Sequence, residues 1–205
     1  MEIVRKDVSL PEIYGENHNL LAFTLDNVLS AAECEELIKE TEDRGYDLAL
    51  LNTGGGQDLR PDVRNNKRCI IDSQERAGLI WERIKSFVPQ TWNSRPVVGL
   101  NERLRFLKYS PGQYFKPHRD GSYRRPDGKE MSFITIQLYL NEGFAGGKTT
   151  FMSGFNGPSE RDVGVTPKIG RVLVFQHDIL HEGSLLVAGT KYTMRTDVMY
   201  GEERN

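Results

Sequence analysis

Sulfur is scarce in this 205-residue chain: it has two cysteines, Cys34 and Cys69, and no CxxC pair. That excludes a disulfide framework and leaves a closed structural zinc site without its usual thiolates. Cys34 falls in a helical pattern and Cys69 in an apolar run, so both read as buried thiols. No window reaches the roughly 18 consecutive apolar residues of a membrane helix. The opening MEIVRKDVSLPEIYGENH mixes charges where an export signal needs an unbroken apolar core. The expected location is therefore the cytoplasm, with the nucleus as the alternative. A dominant charge is also missing, because 27 Lys+Arg against 29 Asp+Glu leave a formal net charge of -2. No general field draws the chain to nucleic acid or to anionic lipid. The glycine run at residues 54–56 is not followed by Gly-Lys-Ser/Thr, which excludes a phosphate-binding loop.

What is present suffices for a folded domain: 38% hydrophobic and 27% charged residues match a chain able to bury a core. One domain over residues 1–205 is expected, with helical support over about 1–99 and a strand-rich core over about 100–200. Ser30-Ala-Ala-Glu33 spells a capping box, followed by Cys34, Leu37 and Ile38 at helical spacing and stopped by Gly45. A second helix, about Ser73 to Phe87, puts Ala77, Ile80, Trp81, Ile84 and Phe87 on one stripe before Pro89. Between them, Leu51 to Lys67 reads as a long polar surface loop.

From Leu100 onward the pattern changes to short runs broken by Gly, Pro and Asn. Strands are expected at Arg103 to Tyr109, Phe133 to Leu140, Lys148 to Met152, Arg161 to Val165, Arg171 to Gln176 and Lys191 to Tyr200. So many closely spaced strands point to a sandwich or barrel. Ile134, Ile136, Leu138 and Leu140 share one face of their strand, and Thr135, Gln137 and Tyr139 the other. In the last strand Lys191, Thr193, Arg195 and Asp197 likewise share a face. Polar faces usually meet water. A small jelly roll under helices can instead turn them inward onto a ligand cavity, burying the aliphatic faces beneath the helices.

The chain has only four histidines, His18, His118, His177 and His181. His118-x-Asp120 is weak alone, since this composition yields such a spelling by chance about one time in four. Its weight comes from a second cluster, FQHDILHEG, directly after an apolar strand. Two imidazoles and one carboxylate on one face suit an Fe(II) oxygenase, which keeps the opposite positions open. His177 and His181 both remain candidates for the third ligand on spacing alone.

From about Leu104 to Tyr200 the chain resembles the Fe(II)/2-oxoglutarate dioxygenases of the prolyl 4-hydroxylase type. The segments that carry the resemblance are KYSPGQYFKPHRDG, QLYLNEGFAGGKTTF, VTPKIGRVLVFQHDILHEG and AGTKYTMRTDVMY. It implies a mainly β α+β fold, a double-stranded β-helix (jelly roll) with supporting N-terminal helices. It implies His118, Asp120 and His181 as iron ligands, His177 being left as a surface or neighbouring residue. It places Lys191 as the cation for the distal carboxylate of 2-oxoglutarate, with Arg195 on the same face as the rival. Tyr139 is expected to donate to that carboxylate, Tyr109 to approach the co-substrate from the other side, and Thr149 or Phe151 to line the pocket. Phe115 stands where many relatives have Tyr.

The implied cofactors are Fe(II), 2-oxoglutarate and O2, with ascorbate as a supporting reductant and succinate and CO2 as products. The implied target is a prolyl residue of a protein or peptide, and the Leu51 to Lys67 loop corresponds in order to the segment that closes over it. Arg103, Arg105, Tyr123, Arg124 and Arg125 are expected near the mouth. A small molecule or free amino acid is the alternative substrate, while nucleic acid and membrane are not expected partners. A non-catalytic jelly-roll binding module is the alternative of another class. A diacid clamp built from Lys191 and Tyr139 would serve no purpose in such a module.

Overall fold

The structure is a computed structural model that describes residues 2–15, 20–53, 56–155 and 158–203. Its frame is a ten-stranded antiparallel sheet facing a four-stranded one. At the centre of the larger sheet, Met131–Tyr139 pairs with Val172–Gln176 on one side and with Lys191–Tyr200 on the other. Lys191–Tyr200 then pairs with Arg103–Tyr109. The smaller sheet runs Phe115–His118, His181–Gly183, Thr149–Phe151, Val163–Val165. Two sheets of this kind with helices behind the larger one make the expected jelly roll.

The two predicted helices are present. In α1, Ala31–Arg44, the Ser30 Oγ accepts from the Glu33 backbone N–H while the Glu33 carboxylate accepts from the Ser30 N–H. That reciprocal cap satisfies two backbone donors at the helix start. In α2, Gln74–Ile84, Ser73 caps the start, and Ala77, Ile80 and Ile84 are buried. The helix stops at Ile84 rather than Phe87; the Phe87 N–H reaches back to the Ile84 carbonyl instead, tightening the end into a turn before Pro89.

The inward turn of the polar faces is what the structure shows. Ile134, Ile136, Leu138, Met194 and Val198 join Ile80, Ile84 and Cys34 in one core between sheet and helices. Each such aliphatic side chain contributes about 1.5–3 kcal/mol of burial. On the opposite face of the same strand, Thr135 and Gln137 point to the smaller sheet, reaching Asp120 and Thr149.

The first hundred residues hold more than helical support. Val4–Asp7, Ala22–Asp26 and Lys67–Asp72 all belong to the larger sheet. Every residue of Ala22–Asp26 is buried, so both faces are covered and no alternation marks the strand in the sequence. Cys69 and Ile71 are the buried positions of Lys67–Asp72. The expected surface loop is also partly ordered, since Leu51–Thr53 pairs with Gly56–Asp58.

Candidate active site

Antiparallel pairing sets His118 directly opposite His181 in the smaller sheet. Their rings tilt together with centroids 4.3 Å apart. Asp120 follows the end of the first strand, its backbone N–H held by the His177 carbonyl at 2.9 Å. As a result the ligating atoms of His118, Asp120 and His181 all lie within 4.8 Å of one another. Each imidazole has its Nδ1 against a backbone carbonyl, that of Lys116 at 2.7 Å for His118 and of Ile179 at 2.9 Å for His181. A carbonyl only accepts, so Nδ1 carries the proton and Nε2 keeps its lone pair. The two Nε2 atoms each sit 3.8 Å from the Asp120 carboxylate.

Electrostatics keep this set ready for a divalent cation. Burial, with His181 adding, pushes the His118 pKa down to about 3, and burial lowers His181 as well. Burial alone would raise the Asp120 carboxyl, but the Arg195 guanidinium beside it outweighs that and holds it below the usual carboxylate range. Two neutral imidazoles and one carboxylate form the donor set that suits iron(II). Phe115 stacks on the His118 ring at 3.6 Å, and Phe175 meets the His181 ring edge-on at 4.6 Å. These contacts fix both ring planes.

The same cavity is lined by Arg64, Tyr109, Gln137, Thr149, Lys191 and Arg195. Lys191 is 2% exposed, and its Nζ donates to the Gly147 carbonyl at 2.6 Å. The Tyr109 ring lies 4.9 Å from that ammonium. Burial without a carboxylate partner lowers the Lys191 pKa to about 7. A buried cation lacking a counter-ion is what a dianionic co-substrate completes.

Arg195 takes a different part from the one expected of it as rival anchor. Its Nη2 lies 3.0 Å from Asp197 and 3.2 Å from Asp120, so its charge is already matched. Tyr139 also sits one layer further back than expected, with its hydroxyl donating to Thr149 Oγ1 at 2.8 Å. Thr149 Oγ1 accepts a second hydrogen bond from Gln137 at 2.7 Å. With both lone pairs engaged, the Thr149 hydroxyl hydrogen is the one left to donate into the cavity. Phe151 packs edge-on against Phe175 and His181 behind the site.

His177 is not a surface residue: it is 5% exposed, with Nδ1 3.1 Å from the Gly121 carbonyl and Nε2 3.8 Å from Asp197. It therefore supports the turn at Asp120 from behind. His18 lies outside the described residues. Most arginines expected at the mouth are matched elsewhere, Arg103 with Asp72 and Arg125 with Glu102 and Glu130. Arg124 donates to the Gly128 carbonyl, Tyr123 bonds Ser132 through its backbone, and Arg105 alone of the group lines the cavity, paired with Asp197.

Sequence reasoning missed Arg64. The Lys116 N–H donates to the Val63 carbonyl, and the Tyr114 N–H to the Asn65 side chain, clamping this end of the loop along the metal-side strand. The Arg64 guanidinium then lies 4.6 Å over the Phe115 ring and lines the cavity, its Nε donating to Asn66 Oδ1 at 2.7 Å and no carboxylate pairing with it among the described residues. Nothing in the sequence separates it from Arg60 or Arg68.

Comparison with known proteins agrees with this geometry. The profile of the 2OG-Fe(II) oxygenase superfamily matches residues 104–196. Prolyl 4-hydroxylase 1 of Arabidopsis thaliana is 23% identical over 94% of the chain and 72% of its own length. Probable prolyl 4-hydroxylase 11 of the same plant is 28% identical over 77% of the chain, which spans about half of it, 54%. A viral collagen prolyl hydroxylase from Paramecium Bursaria Chlorella virus-1, in complex with 2OG, superposes with a TM-score of 0.61 at 20% identity, covering 88% and 96% of the two chains. A Trichoplax adhaerens prolyl hydroxylase in complex with a hypoxia inducible factor peptide gives 0.62 at 17% identity, covering 89% and 84%. The matched stretch runs from the strand before His118 to the strand bearing Lys191, so residues 104–196 are similar to a 2OG-Fe(II) oxygenase domain, and the chain as a whole is similar to prolyl 4-hydroxylases.

Proposed function

We propose that this dioxygenase hydroxylates a prolyl residue of a protein or peptide, with His118, Asp120 and His181 holding Fe(II) and Lys191 holding 2-oxoglutarate. The observation that carries this is one cavity containing both a two-histidine, one-carboxylate cluster and a buried ammonium without a counter-ion. The named activities of the plant relatives, and the peptide bound by the Trichoplax protein, support a prolyl target.

Bound iron supplies the oxidation, coupling dioxygen and 2-oxoglutarate to hydroxylation with release of succinate and CO2. The chain supplies position and exclusion of water. Lys191 and Thr149 receive the distal carboxylate in a cavity whose dryness strengthens both contacts. Tyr109 forms a wall beside them, since a Cβ at Gly183 would already lie 3.4 Å from its hydroxyl. Phe115, stacked on His118, presents an apolar surface, and Arg64, its Nε already donating to Asn66 Oδ1, brings the outer nitrogens of its guanidinium to meet a substrate carbonyl.

The test is anaerobic titration of Fe(II)-loaded protein with 2-oxoglutarate, watched for the visible charge-transfer band, followed by aerobic turnover on proline-containing peptides. Succinate and peptide mass gained as one oxygen atom, in equal amounts, support the assignment. Equal succinate with free proline in place of peptide sinks the peptide substrate, and absence of the band in metal-loaded protein sinks the centre itself.

A further inference from the structure

Beside the Lys191 ammonium, the guanidiniums of Arg64, Arg105 and Arg195 all line the cavity. They are not equally matched. Arg195 lies between two carboxylates, 3.0 Å from Asp197 and 3.2 Å from Asp120, and its pKa is raised in spite of burial. Arg105 reaches only the other oxygen of Asp197, through Nη1 at 3.3 Å. Arg64 pairs with no carboxylate among the described residues, and its Nε is taken up by Asn66. Burial, with repulsion from Arg195 added, lowers the pKa of both Arg64 and Arg105.

The two poorly matched arginines come from different walls. Arg64 bridges to Phe115 at the edge of the smaller sheet, whereas Arg105 stands in the larger sheet between Arg195 and Ile70. With both imidazoles neutral, the charges of Fe(II) and Lys191 are cancelled by Asp120 and the two carboxylates of 2-oxoglutarate. Asp197 and Glu182 then face three guanidiniums, and Glu182 is already turned to Ser184. A loaded site therefore keeps positive charge that the protein does not match.

We propose that Arg64 and Arg105 together receive a carboxylate of the substrate, placed within one residue of the prolyl carbon that is hydroxylated. This rests on the reading of the chain as a prolyl hydroxylase. A neutral carbonyl would accept a hydrogen bond from one guanidinium but leave both buried charges uncompensated. A carboxylate presents two oxygens to two planar forks and supplies the missing charge. Two sources share that chemistry: the α-carboxylate of a chain-ending proline, and the side chain of an adjacent Asp or Glu.

The experiment uses the full chain, with Mn(II) and 2-oxoglutarate for calorimetric titration and with Fe(II) in air for turnover read by peptide mass. The acetylated tripeptide Ala-Ala-Pro is compared as free acid and as amide, and the amide of Ala-Pro-Asp with that of Ala-Pro-Asn. In at least one pair the acid is expected to bind about tenfold tighter or more than its neutral partner. The pair that shows the difference names the source. In Arg64→Met and in Arg105→Met, the ratio of acid to neutral affinity should fall about fivefold or more. Equal affinities within both pairs, no binding by any of the peptides, or a ratio that survives both substitutions overturns the proposal. If Arg105→Met does not fold, Arg64→Met decides the last point. Tighter binding of an acid with no gain of oxygen leaves the anion site standing and sinks the prolyl reading. Oxygen gained by acid and neutral peptides bound equally well does the reverse.

Discussion

Replacing Lys191 by methionine should strengthen the fold and cripple co-substrate binding at once. The ammonium is buried and meets only the Gly147 carbonyl and the faces of Tyr109 and Tyr139. Its pKa falls from 10.5 to about 7 through burial, which corresponds to a penalty on the order of 5 kcal/mol for keeping it charged. Losing the hydrogen bond to Gly147 returns about 1–2 kcal/mol of that. The net gain for Lys191→Met is therefore about 3–4 kcal/mol. The sign with pH follows from a folded pKa below the unfolded one. The penalty is fully present below about pH 7, so the gain is largest there, and it fades as the pH rises towards 10.5. Binding runs the other way, because a buried carboxylate left without its partner costs about 3 kcal/mol or more. The dissociation constant for 2-oxoglutarate should thus rise about 150-fold. Calorimetric titration of Mn(II)-loaded protein reads this directly, with denaturant melts at pH 6 and pH 10 for stability. 2-Oxobutyrate, which lacks the distal carboxylate, is the control and should bind parent and variant alike. A variant that binds 2-oxoglutarate within about threefold of the parent, or that loses stability at pH 6, would refute a clamp built on an unmatched ammonium.

Other outcomes follow from the same geometry. His181→Ala should abolish binding of one equivalent of metal, whereas His177→Ala should retain it with a small loss of affinity, checked by metal content after desalting. Thr149→Val should raise the 2-oxoglutarate dissociation constant about tenfold. Tyr139→Phe, acting only through Thr149, should raise it less. Gly147→Ala places a Cβ 3.2 Å from the Lys191 side chain at a backbone φ of +64°, so weaker 2-oxoglutarate binding with metal binding intact is expected. Arg64→Ala should raise KM for a peptide substrate while leaving the anaerobic charge-transfer band unchanged.

The parts of the fold legible in the sequence were those that obey a single period. Arg103–Tyr109 and Lys191–Tyr200 begin and end where alternation places them. Ala22–Asp26 was invisible because burial on both faces erases alternation. Phe115–His118 and His181–Gly183 escaped because short strands rich in polar residues look like turns. At the site, the ligands were legible through rarity, four histidines being few enough to weigh one by one. Arg64 was not, since its value comes from having no carboxylate neighbour, a property of packing that no local spelling records. Tyr139 and Arg195 stood on the right faces, but their partners Thr149, Asp120 and Asp197 come from other strands.

The Met131–Tyr139 strand divides its labour by parity. Ile134, Ile136 and Leu138 carry the aliphatic core, and Thr135, Gln137 and Tyr139 serve the cavity. Substitutions at Thr135 and Gln137 can therefore retune the contacts to Asp120 and Thr149 while Ile134, Ile136 and Leu138 go on holding the sheet to its helices. A lineage built this way can adjust its centre through two letters of one strand, drawing little on the aliphatic packing that keeps it folded.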